Sequence, residues 1–238
     1  MNPQELLRAG RLDEAIETLG AELRVEPGDA QRRIFLFELL CFAGAYQRAE
    51  KQLDVLAQRG PDAAMGTLLY RSALHAEQIR QEVFVEGRFP SGPAPRPVSG
   101  RLNGTPFTSL TDADPRIGAR LEVHAAGQYT WIPFEQIASV RMNAPARLRD
   151  LLWAPATVRT SPDFRGVELG EVLVPALAPL TWHDDNDAIR LGRVTEWRDL
   201  GNGTDAPIGQ KLLLVDGEEF PMLELRELDI VPATVAVS

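Results

Sequence analysis

The chain has 238 residues, 44% hydrophobic and 25% charged, a composition that supplies a buried core for one large or two modest domains and excludes a disordered chain. A formal net charge of −9 repels phosphate backbones and anionic lipid headgroups, so neither nucleic acid nor a membrane surface is an expected partner. The single cysteine, Cys41, cannot form an internal disulfide. No apolar run approaches the roughly 18–20 residues of a membrane helix, and the start at Met1 lacks the features of a secretion signal, so a cytoplasmic protein is expected.

The first predicted elements repeat. Ala9-Gly10-Arg11-Leu12-Asp13-Glu14-Ala15 returns as Ala43-Gly44-Ala45-Tyr46-Gln47-Arg48-Ala49, and the same offset of 34 carries Leu19 onto Leu53 and Pro27 onto Pro61. These positions spell a helix, a glycine turn, a second helix crossed at a small residue, and a proline stop. The pattern resembles the tetratricopeptide repeat, with Arg33 where that family usually has tryptophan and Phe37 where it has a close-packing glycine, so the helices are expected to splay. Ala63 to Glu86 is helix-compatible, with Leu68, Leu69, Ala73, Ala76 and Ile79 forming an apolar stripe expected to cap the stack. In a tetratricopeptide-like unit, Ile34, Glu38, Cys41 and Phe42 would face a concave groove of the kind that holds a peptide or helix, which makes them the first candidate partner site.

A stretch dense in proline and glycine follows, and beyond it the pattern shifts to short apolar runs separated by turns. Ala119–Val123, Tyr129–Ile132, Leu169–Val174, Ala188–Arg193 and Lys211–Val215 read as strands, Asp216-Gly217 as a hairpin turn and Asn202-Gly203 as a loop or turn. Ile137–Ser139 and Leu148–Leu152 read as short helical pieces. The architecture is therefore α+β: a tetratricopeptide-like helical domain over residues 1–88, a linker over 89–106 and a mainly β domain over 107–238.

Three segments of the second half, in order, carry a more specific resemblance: Tyr129-Thr130-Trp131-Ile132-Pro133-Phe134-Glu135-Gln136-Ile137, then Arg149-Asp150-Leu151-Leu152-Trp153 with Pro155-Ala156, then Leu191-Gly192-Arg193-Val194-Thr195-Glu196-Trp197. Together with the N-terminal repeat they resemble the ImpE family, also called SciE or TagJ, of type VI secretion accessory proteins. Val174 to Pro179 departs from the family pattern in lacking an aromatic ending. The resemblance implies a non-catalytic adaptor that binds a helix of the small sheath subunit and has the sheath-disassembly ATPase as a further partner.

The residues themselves leave two other readings open, a generic tetratricopeptide-type scaffold or co-chaperone and a metal-assisted hydrolase using His183, Asp184, Asp185 and Asp187. The acidic run from Trp182 to Asp187 fits neither the calcium-loop pattern nor H-E-x-x-H, and reads as a solvated loop. His75 and His124 have no companions at ligand spacing, Gly201-Asn202-Gly203-Thr204 lacks the lysine of a phosphate-binding loop, and Cys41 sits in an apolar helix. No catalytic residue, metal ligand or cofactor is expected. Trp131, Trp153, Trp182 and Trp197 read as core, while Trp197 beside Arg193 forms a second candidate partner site because tryptophan and arginine concentrate at binding hot spots.

Overall fold

Five helices form the first half, and the ends of several are set by local chemistry. α1 (Pro3–Arg8) opens on Asn2, whose side chain accepts the Glu5 N–H while Glu5 reaches back to the Asn2 N–H. α2 (Leu12–Val25) and α3 (Ala30–Phe42) follow, the latter capped by Asp29, and then α4 (Tyr46–Ala57). Gly10 and Gly44 turn the chain at φ of 73° and 66°, a left-handed conformation that glycine adopts without steric cost. Ala15 and Ala49 are fully buried where helices pack. Pro61 occupies the first turn of α5 (Pro61–Glu86), a single 26-residue helix that ends at left-handed Gly87.

The computed structural model describes residues 1–90, 94–162, 164, 166, 169–201 and 203–231. Ser91–Pro93 of the expected linker, Asn202 of the expected turn and the last seven residues of the expected β domain lie outside the described residues.

The second half is built on β1 (Ser99–Leu102), β2 (Thr105–Phe107), β3 (Leu110–Asp112), β4 (Arg120–Ala125), β5 (Gln128–Pro133), β6 (Ile137–Met142), β7 (Trp153–Thr160) and β8 (Gly170–Pro175). A short helix, α6 (Asp187–Arg190), precedes β9 (Glu196–Asp199), β10 (Asp205–Ile208), β11 (Leu212–Val215), β12 (Glu218–Pro221) and β13 (Glu227–Val231). Eight strands pair antiparallel in the order β2-β1-β13-β6-β7-β8-β4-β5, three more in the order β12-β11-β3, and β9 with β10 forms a separate hairpin. Their inward side chains, among them Val123, Val140, Val158, Val174, Leu213 and Leu228, make one apolar core. A second core joins both halves, combining residues of α1 to α5 with Leu152, Trp153 and Leu191.

Asp216-Gly217 is the turn between β11 and β12, with positive φ at both residues and Val215 opposite Glu218, and the chain from Leu148 to Leu151 makes a 3-10 turn. Several expectations are corrected. Asn103-Gly104 closes a β1–β2 hairpin inside the stretch read as linker, because both residues take positive φ and Leu102 pairs with Thr105. Ala188–Arg193 is not a strand, since Asn186 accepts the Ala188 N–H and starts α6. Ile137–Ser139 is the start of β6 rather than a helix, the helical turn being spent just before it at Phe134–Gln136. Of the expected stripe on α5, Ala73 and Ala76 are buried, but Leu68 and Leu69 are exposed, at 56% and 66%, and the buried face also carries Glu77, Arg80 and Gln81.

Candidate functional site

The groove of the helical repeats is filled by the chain's own second half. Glu38, Cys41 and Phe42 are buried among α3, α4, α5 and the residues that enter and leave β7 and β8. Cys41 and Phe42 border, with Trp153, Leu177 and Trp182, a cavity of about 20 Å³, room for a single water. Burial pushes the Cys41 thiol well above its usual range, so it is an inert packing group. Burial and then the nearby Asp150 raise the Glu38 carboxyl to about 7. Ile34 is different, half-buried and reaching an open pocket described below.

Beneath this covered face lies a charged network that sequence patterning did not single out. Arg80 on α5 donates through Nε and Nη2 to both carboxylate oxygens of Glu122 on β4, at 2.9 and 3.0 Å, and through Nη1 to Glu77 at 3.2 Å. Lys211 reaches Glu122 and Asp112 at 2.5 Å each. Trp153 donates its indole N–H to Glu77 at 2.9 Å, and the Gln81 side-chain oxygen accepts from the Leu180 N–H and the Trp182 indole. Burial works against ionising Glu122, but the adjacent Arg80 and Lys211 outweigh it and hold the carboxyl well below the usual range. The arrangement is closed to solvent and each charge faces an opposite one, so it is a strut between the two halves. No spacing signal marks it, because Arg80 lies 42 residues from Glu122 and Glu122 a further 89 from Lys211.

The acidic run also braces the halves. Asp187 accepts the Leu12 N–H at 2.7 Å at the start of α2, which has no side-chain cap of its own, and Arg190 pairs with Asp13 at 3.0 Å. Asp184 pairs with Arg198 at 3.2 Å, His183 stacks edge-on to Trp182, and Asp185 is exposed. The stretch read as a solvated loop thus holds α6 and a turn that are tied down. Among the described residues, no group of three or more histidine, cysteine or acidic side chains has metal-binding geometry. Arg193 donates to the Arg8 and Leu7 carbonyls at 3.0 and 2.6 Å, closing the end of α1. Trp197 is 39% exposed and donates to Glu219, whereas Trp131 and Trp153 are buried and Trp182 half-buried.

Among the described residues, two larger depressions border the first half of α5 and meet at Tyr70. Phe37 packs edge-on against Tyr70 at 5.4 Å, and beside this pair an apolar pocket of about 340 Å³ opens between α3, α4 and α5. Ile34, Leu53, Leu56, Ala63, Gly66 and Tyr70 line it. The other depression is a cleft of about 680 Å³ between α5 and the strands β4, β6, β7 and β8. Arg149, Asp150, Trp153, Pro155 and Ala156 of the second resembling segment line this cleft, which gives those residues a shared location.

Comparison with known proteins places this geometry among relatives. Residues 104–229 match the family described as ImpE protein, and residues 6–71 match the tetratricopeptide repeat. The type VI secretion system accessory component TagJ of Pseudomonas aeruginosa is 36% identical, with 98% of this chain and 92% of that protein aligned. The crystal structure of protein VPA1032 from Vibrio parahaemolyticus superimposes with a TM-score of 0.85 over 99% of both chains at 22% identity, a likeness of fold.

Proposed function

Since the chain belongs to the ImpE family, we propose that it is a non-enzymatic accessory protein of a type VI secretion system that binds a helix of the small sheath subunit in the cytoplasm and links it to the sheath-disassembly ATPase. The observation that carries this reading is the apolar pocket of about 340 Å³ at Ile34, the part of the repeat surface that the second half leaves uncovered. Ligand sites are mostly apolar concavities of this size, and an amphipathic helix seats its anchor side chains in such a groove. The relative named as an accessory component and the tetratricopeptide repeats support a role in protein contacts rather than chemistry. Trp197, with exposed Val194 and Leu200 beside it, is the proposed surface for a further partner.

Gly66 supplies the test. It lines the pocket, and a Cβ added there meets nothing within 4 Å, so Gly66→Leu narrows the pocket while favouring the helix. Purified wild type is expected to retain the purified small sheath subunit on a column, and Gly66→Leu to lose it while melting no lower. Equal retention by both moves the helix site elsewhere. No retention by wild type overturns the sheath assignment.

A further inference from the structure

The cleft between α5 and the strands has features that the apolar pocket lacks. His124 on β4 reaches its lining although the residue is only 3% exposed, and neither ring nitrogen has a hydrogen-bond partner among the described residues. Nε2 stands 3.6 Å from Glu77, beyond hydrogen-bond reach. A buried polar group left in this state is costly, and a ligand entering the cleft is the means of satisfying it.

The lining carries three arginines, Arg141, Arg147 and Arg149, against two carboxylates, Glu171 and an Asp150 that already accepts the Ala146 and Arg147 backbone N–H groups, in a protein whose net charge is −9. Arg141 is already paired with Glu227 and Asp229. Among the described residues, Arg147 and Arg149 form no carboxylate pair within 4 Å; Arg149 lies over the Tyr70 ring at 4.9 Å, which holds its guanidinium at the rim of the cleft. Leu69 on the α5 wall is 66% exposed, and Met65 one turn earlier is 71% exposed, so an apolar strip runs from the solvent side of the helix into the cleft. Trp153, Val172 and Leu173 add apolar wall, and Asn143 and Thr157 polar wall.

We propose that this cleft binds an acidic, amphipathic peptide segment of a partner protein, with a carboxylate clamped by Arg147 and Arg149, apolar side chains laid along Met65 and Leu69, and His124 hydrogen-bonding the segment at the floor. The bidentate geometry of guanidinium and carboxylate suits the clamp. A cleft of about 680 Å³ with an apolar approach suits a chain segment better than a compact ion. This site shares only Tyr70 with the pocket assigned to the sheath helix, and the substitutions that test the two sites fall on different residues, so the two assignments are tested separately.

The test is fluorescence anisotropy of the full-length protein with a labelled, end-blocked peptide of alternating leucine and glutamate, set against the same peptide with glutamine for glutamate. The wild type is expected to prefer the glutamate peptide by about tenfold or more. Arg147→Gln with Arg149→Gln is expected to erase that preference, and Arg48→Gln on the remote, exposed surface of α4 to retain it. His124→Phe removes the unpartnered imidazole at similar shape, and is expected to leave the melting temperature unchanged or higher while weakening binding of both peptides alike. Absence of preference in the wild type, or its persistence in the double variant, overturns the proposal. Undiminished binding by His124→Phe removes the histidine from the site. Displacement of the peptide by free glutarate at equal concentration would assign the cleft to a small dicarboxylate and overturn the peptide reading.

Discussion

The two halves of α5 differ in what they bury and what they expose. From Pro61 to Tyr70 the helix leaves Met65, Leu68 and Leu69 exposed, whereas from Ala73 to Phe84 it buries Glu77, Arg80 and Gln81. The second half packs on the strands, where Glu122, Trp153 and the Leu177 and Leu180 backbone meet those polar groups. The first half borders a pocket toward α3 and α4 and a cleft toward the strands. One continuous helix therefore serves as a strut at one end and as a binding surface at the other, and the polarity of each end follows from what it touches rather than from its own pattern.

Removing a charge from the covered end is the most damaging way to break this contrast. Arg80→Met leaves Glu77 and Glu122 buried without their main counterion and is expected to lower unfolding stability by about 3–5 kcal/mol in urea denaturation. A loss below about 1 kcal/mol would show that the apolar interface alone holds the halves together.

The two repeat turns sharpen the contrast between covered and open ground. At Gly44 an added Cβ would run into the Trp182 ring, while at Gly10 its nearest neighbour is the Arg193 guanidinium at 3.5 Å. Gly10→Ala meets only left-handed strain and is expected to cost about 1–2 kcal/mol, and Gly44→Ala that amount plus about 1–3 kcal/mol of overpacking, read as the difference between their denaturation midpoints.

Glu38 gives the covered face a pH dependence. Its folded carboxyl, raised by burial and Asp150 to about 7 from 4.5, resists ionisation, so the stability present below pH 4.5 is lost as the pH rises through about 7. Glu38→Gln is therefore expected to be more stable than wild type by about 1–2 kcal/mol at pH 8 and no more stable at pH 4, in denaturation curves at the two pH values. An equal gain at both would assign the effect to packing.

At the open end, changes are expected to leave the fold almost intact. Met65→Ser with Leu69→Ser should shift stability by no more than about 0.5 kcal/mol in the same denaturation assay, because neither side chain is buried. A larger loss would show that the strip is structural.

Much of the helical half was legible in the sequence because its signals are local. A left-handed turn needs a glycine at Gly10 and Gly44, and a helix crossing needs a small residue at Ala15 and Ala49, so the period of 34 could be read directly. The hairpin at Asp216-Gly217 was legible for the same reason, and Asn103-Gly104 carried an equal signal that the surrounding prolines masked. Of the candidate site residues, Ile34 reaches an open pocket and Trp197 is exposed, while Glu38, Cys41 and Phe42 lie under the second half and Arg193 closes the end of α1. A helix's pattern tells which side chains are apolar; it does not tell what will cover them.

By itself, then, the sequence determined the repeat, the change from helix to strand, the tight turns and the family, all of which depend on residues close together or on ordered motifs. Only the tertiary structure decided that the repeat groove is filled from within, that the second half of α5 buries charged side chains, and that a cleft and a pocket remain open beside it. The reason is physical. A buried arginine or glutamate is tolerated only when its counter-charge arrives from elsewhere, and Glu122 stands 42 residues from Arg80 and 89 from Lys211, distances that only the folded chain closes.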